Sequence, residues 1–204
     1  LKELDTLRLT DRTIIVVTSD HGEMAGAHGG LRGKGPFAYE ECIHIPLYIV
    51  HPDVRGGQEC RALSGHIDIA PTLLGMAGVT PGRTGELAGR ELPGKDLTPL
   101  LSRPGSAGVH ALRAGVLFTY SGLVAVDREP MELTMKALAA GKDLPTALRS
   151  GGPMNLKKRG TARTVFDGRY KFTRYFGPED RHRPGTLDDL YRYNDVELFD
   201  LQTD

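Results

Sequence analysis

An aspartate beside a histidine, Asp20-His21, stands where an apolar run gives way to a polar, glycine-rich loop. A carboxylate oxygen is a hard donor and an imidazole nitrogen a borderline one, so the pair suits manganese, zinc or iron, and calcium less ideally. Two donors do not complete a site, and each residue has an ordinary alternative: Asp20 as a helix N-cap, His21 as a satisfied loop histidine. Lys34 lies in Arg32-Gly33-Lys34-Gly35. Flanking glycines let a backbone crowd close and aim one ammonium into a cleft, where it can neutralise an anionic oxygen or a leaving group. The competing reading is a solvated surface lysine. His28, in the same loop, is a candidate substrate contact against the alternative of a solvated histidine.

These residues need a scaffold. Residues 14–17 are apolar, rich in β-branched side chains and without alternation, the pattern of a strand buried on both faces of a parallel sheet. Ligands of open α/β sheets bind at the carboxyl ends of such strands, where Ser19, Asp20, His21 and Gly22 follow. Upstream, Leu1, Leu4, Leu7 and Leu9 make a partial helical stripe, and Asp11-Arg12 a turn. Downstream, residues 36–42 can form a short helix with Glu40 and Glu41 on its solvent face. Residues 45–50 read as a second buried strand with Pro46 at its start. His44 and His51 read as structural, and residues 61–63 as a short strand. Asp68 is placed to cap a helix over 69–77 that Gly78 stops, which explains it without assigning chemistry to His66 and Asp68.

With the motifs in hand, the chain resembles the sulfatase family of the alkaline-phosphatase-like superfamily. Thr18-Ser19-Asp20-His21-Gly22-Glu23 looks like a late strand end of that family, Gly33-Lys34-Gly35 like its Gly-Lys-Gly, and residues 37–47 (FAYEECIHIPL) like its Tyr-Glu-Glu stretch before a Pro-Leu strand. Residues 66–79 (HIDIAPTLLGMAGV) and 194–201 (NDVELFDL) resemble two further family segments. The resemblance covers most of residues 1–79 and the last forty or so. It implies the carboxyl-terminal part of an alkaline-phosphatase-like sandwich, a mixed and largely parallel sheet flanked by helices, plus a small α+β subdomain with an antiparallel hairpin. It implies that Asp20 and His21 are metal ligands, that Lys34 contacts the sulfate or bridging oxygen, and that the metal is calcium or manganese. The substrate implied is a small-molecule or glycan sulfate ester.

Two departures matter. Many sulfatases carry Asp-Asn at the first pair, and the histidine here is shared with phosphonate monoester and phosphodiester hydrolases of the superfamily and with some sulfatases, so the substrate's central atom stays open. The family nucleophile, a Cys or Ser in Cys/Ser-x-Pro/Ala-x-Arg matured to formylglycine, lies upstream with two more metal-binding aspartates. Neither Cys42 nor Cys60 has an arginine four positions on. The expectation is therefore a carboxyl-terminal portion without its nucleophile, inactive alone. A non-catalytic binding module built on the surviving half-site is the reading from a different class.

Equal numbers of basic and acidic side chains, 26 each, give no electrostatic reason to bind nucleic acid or an anionic membrane. No apolar run reaches the length of a membrane span, and the compartment is undetermined. Residues 80–108, dense in glycine and proline, read as a surface connection with one short helix over 97–101. They set the expected border between a catalytic portion, 1–108, and a small subdomain, 109–204. In the latter, 115–126 read as one or two strands and 130–148 as an interrupted helical stretch whose methionines fill core. Residues 155–163 form a basic loop, and 164–176 a hairpin turning at Asp167-Gly168 with a packed apolar face and a solvated basic one. The resemblance implies a closing subdomain from which Arg174 and His182 could reach a substrate pocket, a placement their spacing does not require.

Overall fold

The computed structural model describes residues 1–122, 127–179 and 183–204. His182, and residues 123–126 of the expected strand region, lie outside the described residues. The chain forms two compact units, Leu1–His21 with Ile45–Val116, and Gly22–His44 with Leu117–Asp204.

In the first unit, the helix Lys2–Thr6 and a 3-10 turn Thr10–Arg12 lead into β1, Ile15–Thr18. β1 pairs antiparallel with β2, Leu47–Val50, with Val16 opposite Ile49 and Val17 opposite Tyr48. β2 begins one residue after Pro46, as the missing N–H of proline favours. Alternation along the ribbon sends Val16, Leu47 and Ile49 toward Ile69, Leu73 and Met76 of the helix Ile69–Met76 and toward Leu97. Val17, Tyr48 and Val50, on the opposite face, are each more than half exposed. The expectation of burial on both faces is thus corrected: among the described residues β1 has one partner strand, and a helix covers one face only.

Pro71 is buried in the first turn of the helix Ile69–Met76, and Gly78, at φ 80°, follows its end. Asp68 precedes that helix but makes no side-chain cap. Its fully buried carboxylate accepts from Gly65 N at 2.8 Å, Lys95 N at 2.7 Å and Arg113 Nη2, tying three segments together. Residues 61–63 form no strand. The glycine-rich stretch holds a helix that was not expected, Pro81–Ala88, closed by Gly89 at φ 66°. Its start and stop, Thr80-Pro81 and Gly89, are ordinary helix punctuation that the density of glycine obscured. The helix expected over 97–101 is a 3-10 turn, Thr98–Leu100.

The second unit is organised on an antiparallel sheet in the order β3 (Val116–Ser121), β4 (Thr161–Phe166), β5 (Tyr170–Phe176), β6 (Asp195–Asp200). The hairpin turns where expected. Gly168 takes φ 101°, and Asp167 Oδ1 accepts from Arg169 N and Tyr170 N at 2.9 and 2.7 Å. The basic face, expected to be solvated, is instead buried. Lys171, Thr173 and Thr164 are buried, at 2%, 0% and 1% exposure, on the face they share with buried Ala162, while Val165 on the other face is half exposed. The buried polar face is satisfied: Thr164 and Thr173 hydroxyls meet at 2.9 Å, and Lys171 Nζ reaches Glu40 Oε1 at 2.9 Å. Residues 130–148 are two helices, Arg128–Ala139 and Leu144–Gly151, with Asp143 capping the second through Thr146 N at 2.7 Å. Their contact is made by small groups, because a side chain at Gly151 would strike Thr134 Oγ1 and the Pro130 carbonyl. Met131 and Met135, expected to fill core, are exposed. Cys42 is buried and Cys60 exposed, both as free thiols. No helix among the described residues is long and apolar enough to cross a membrane.

Candidate functional site

Asp20 and His21 leave the carboxyl end of β1 in the first unit, as the strand-to-loop transition requires. Their side chains converge, with Asp20 Oδ2 3.4 Å from His21 Nε2, and Asp20 Oδ1 accepts from the His21 amide at 3.0 Å. Asp20 is open to solvent and His21 about one-third so. The backbone behind them is fixed at three points. Thr18 Oγ1 donates to the Pro46 carbonyl at 2.9 Å, Ser19 Oγ to the His21 carbonyl at 2.5 Å, and His66 Nε2 to the Ser19 carbonyl at 2.8 Å. His66 therefore braces the loop. An oxygen and a nitrogen donor side by side fit part of the coordination of a divalent cation. Among the described residues no group of three or more His, Cys, Asp or Glu completes it.

Lys34 and His28 belong to the second unit, in a loop over residues 22–42. Gly22 N donates to the Cys42 carbonyl at 2.9 Å and closes the loop's base. Any side chain at Gly22 would strike the Glu41 carbonyl, so glycine is required for that approach. Within the loop, Met24 is buried, Gly26 N donates to the Leu31 carbonyl at 2.8 Å, and Met24 N to the Gly33 carbonyl at 3.3 Å. Glu23 Oε1 accepts from Gly33 N at 2.5 Å and from Ala25 N at 3.3 Å. Lys34 is exposed, and among the described residues its ammonium has no ion-pair partner. His28, at φ 50°, stacks on Tyr39 with centroids 4.0 Å apart, and its Nε2 lies 3.3 Å from Glu41 Oε2. The Glu41 carboxyl is held below its ordinary range, chiefly by a backbone hydrogen bond and also by His28.

The segment after Lys34 docks on the buried polar face of the sheet. Tyr39 OH donates to Glu197 Oε1 at 3.3 Å and Tyr175 OH to Glu197 Oε2 at 2.8 Å. Burial raises both phenols above the ordinary value, reinforced by the Glu197 carboxylate. Glu40 and Glu41 are thus not a bare solvent face: Glu40 pairs with Lys171 and His44, Glu41 with His28. Burial lifts the Cys42 thiol, with the charges of Glu23 and Glu41 adding to the shift. Arg174 lies 4.6 Å over the Phe176 ring and donates to Asn194 Oδ1 at 3.2 Å. Of the terminal motif, Glu197 holds the two tyrosines and Asp200 grips Arg169 through Nε and Nη2 at 3.0 and 2.6 Å. Residue type and spacing gave Glu23 and Lys171 no role and left His66 without chemistry. Glu23 is ten residues from the amide it holds and Lys171 is 131 from Glu40, so no local spacing announces either contact.

The sulfatase family model matches residues 1–79. The chain is 37% identical over 106 residues to an N-acetylglucosamine-6-O-sulfatase of Bacteroides thetaiotaomicron, covering 52% of this chain and 17% of that protein. It is 34% identical over 106 residues to an ulvan-active sulfatase of Formosa agariphila, covering 51% of this chain and 19% of that protein. The chain therefore spans about a fifth or less of the length of these relatives. Among solved structures, one bound to its substrate D-glucosamine-2-N,6-O-disulfate superposes with TM-score 0.62 at 24% identity, over 100% of this chain and 31% of that one. A phosphonate monoester hydrolase from Silicibacter pomeroyi gives 0.55 at 24% identity, over 94% and 35%. These likenesses establish the alkaline-phosphatase-like fold expected from the motifs.

Proposed function

From the sulfatase match of residues 1–79, we propose that this chain is a carboxyl-terminal portion of a sulfuric ester hydrolase that acts with a divalent cation on a small-molecule or glycan sulfate ester. The observation that carries the reading is the convergence of Asp20 and His21, 3.4 Å apart, at the carboxyl end of β1 inside the matched stretch. Calcium or manganese, when bound, would neutralise charge on the substrate's anionic oxygens. Asp20 would offer its exposed carboxylate and His21 an imidazole nitrogen, on a backbone that His66 and Ser19 hold in place. Lys34 would donate to the anionic group or to the departing alkoxide, which removes the need for that oxygen to leave as a free anion. The nucleophile, a formylglycine by family resemblance, belongs in this reading to residues outside the sequence given. Cys42 does not suit the role, since Pro46 and not an arginine stands four positions on.

The test uses this chain and the longer enzyme that contains it. Calorimetric titration of the chain with Mn²⁺ or Ca²⁺ should show weak binding that Asp20→Ala abolishes, and the chain should not hydrolyse p-nitrophenyl sulfate. Hydrolysis by the chain alone, lost in Lys34→Ala, overturns the claim that it is inactive by itself. Binding that survives Asp20→Ala overturns the metal assignment. A second reading, phosphonate monoester or phosphodiester hydrolysis, is favoured by His21 in place of the more common asparagine. Paired aryl sulfate and aryl phosphonate assays on the longer enzyme separate the two. Hydrolysis of neither would leave the non-catalytic binding module.

A further inference from the structure

We infer that Glu23 is the positioning residue for Lys34, an inference that rests on Lys34 acting on the substrate as proposed above. Gly33, the residue just before Lys34, is held through both of its backbone polar groups. Gly33 N donates to Glu23 Oε1 at 2.5 Å, while the Gly33 carbonyl accepts from Met24 N at 3.3 Å and lies 3.9 Å from Cys42 Sγ. The same Glu23 oxygen takes Ala25 N at 3.3 Å, so one carboxylate bridges the two limbs of the loop. Gly33 sits at φ 74°, a left-handed conformation that nothing intrinsic to its sequence would hold against the alternatives open to glycine. The far side is bounded too, because a side chain at Gly35 would strike the Phe37 ring.

An exposed lysine between two glycines has the backbone freedom to point almost anywhere. The Glu23 clamp removes that freedom one residue upstream, and the cost of ordering is met by a charge-assisted hydrogen bond rather than by the substrate. Reach decides the identity of the clamp. The glutamate chain spans the gap from residue 23 to the amide of residue 33, and only its carboxylate or an isosteric amide presents an acceptor oxygen there.

The experiment compares Glu23→Gln, Glu23→Asp, Glu23→Ala and Lys34→Ala. Amide exchange at Gly33 is measured in this chain, and p-nitrophenyl sulfate kinetics in the longer enzyme. Glu23→Gln keeps the acceptor, so Gly33 exchange and kcat should stay within about threefold of the parent. Glu23→Asp keeps the charge but loses the reach, and Glu23→Ala loses both. Each should speed Gly33 exchange about tenfold or more and lower kcat by about 10- to 100-fold with KM little changed, as expected for a misdirected catalytic group. Equal effects of Gln and Ala, with Asp like the parent, would show a pure charge effect and overturn the inference. So would faster Gly33 exchange with unchanged kcat in a protein that Lys34→Ala inactivates. If Lys34→Ala leaves hydrolysis intact, it is the role of Lys34 that has failed, and the inference falls with it for that separate reason. Glu23 is exposed, so none of these changes removes a core contact.

Discussion

Breaking the pair between Glu40 and Lys171 should cost very different amounts according to which partner is removed. Lys171 is 2% exposed, whereas the Glu40 side chain is 41% exposed and its second oxygen lies 3.1 Å from His44 Nδ1. Glu40→Ala leaves an ammonium inside the unit with the Phe199 ring 5.4 Å away and the Glu41 charge for partial compensation. Stranding a buried charge in this way costs about 3–5 kcal/mol, and the partial exposure of Glu40 argues for the lower end, about 3 kcal/mol. Lys171→Met removes the buried charge, keeps most of the volume and leaves Glu40 to water, so its effect should be about 1 kcal/mol or less in either direction. The double variant should resemble Lys171→Met alone, giving a coupling equal to the cost of Glu40→Ala, about 3 kcal/mol. Amide exchange of the β5 backbone reads the opening of this unit without assuming that the whole chain unfolds in one step. Glu40→Ala should accelerate it by about 100-fold, since 1.4 kcal/mol corresponds to a factor of ten. If Lys171→Met proves as damaging as Glu40→Ala, the asymmetry of burial is not what governs this pair, and the reasoning is refuted.

Two further outcomes follow from the same physics. Asp68→Ala strands Arg113 and the amides of Gly65 and Lys95 and should destabilise the first unit by about 3–5 kcal/mol, seen as faster exchange in the helix Ile69–Met76; a change under about 1 kcal/mol would refute the network's importance. Tyr39 and Tyr175 should ionise above the ordinary tyrosine value of 10.0 because burial and Glu197 disfavour the phenolates. Their contribution to stability is then full below about pH 10 and is lost as pH rises through the raised folded values. Absorbance titration at alkaline pH checks this, and Glu197→Gln should move both transitions down.

The candidate site was legible wherever chemistry is local. Asp20 and His21 are neighbours, so their convergence at a strand end follows from backbone geometry, and Lys34 stands out because glycines flank it. The hairpin was legible down to its turn, because Asp167-Gly168 supplies both the side-chain acceptor and the left-handed residue a tight turn needs. The helix Pro81–Ala88 was missed because Gly82 and Gly85 weaken the propensity signal while its end signals are intact.

What the sequence alone determined, then, is the set of elements whose cause lies within a few residues: β1, β2, the hairpin, the helix after Asp68, and the donor pair at the end of β1. Tertiary structure decided which faces those elements bury. Alternation along residues 170–175 marks two faces but cannot say which is inside, and the polar face is inside because Glu40 meets Lys171 and Glu197 meets Tyr39 and Tyr175. Likewise Asp68 reads as a helix cap until Lys95 and Arg113 arrive from distant segments. A buried charge is tolerated only by partners, and partners far apart in the chain are brought together by folding, not by spacing.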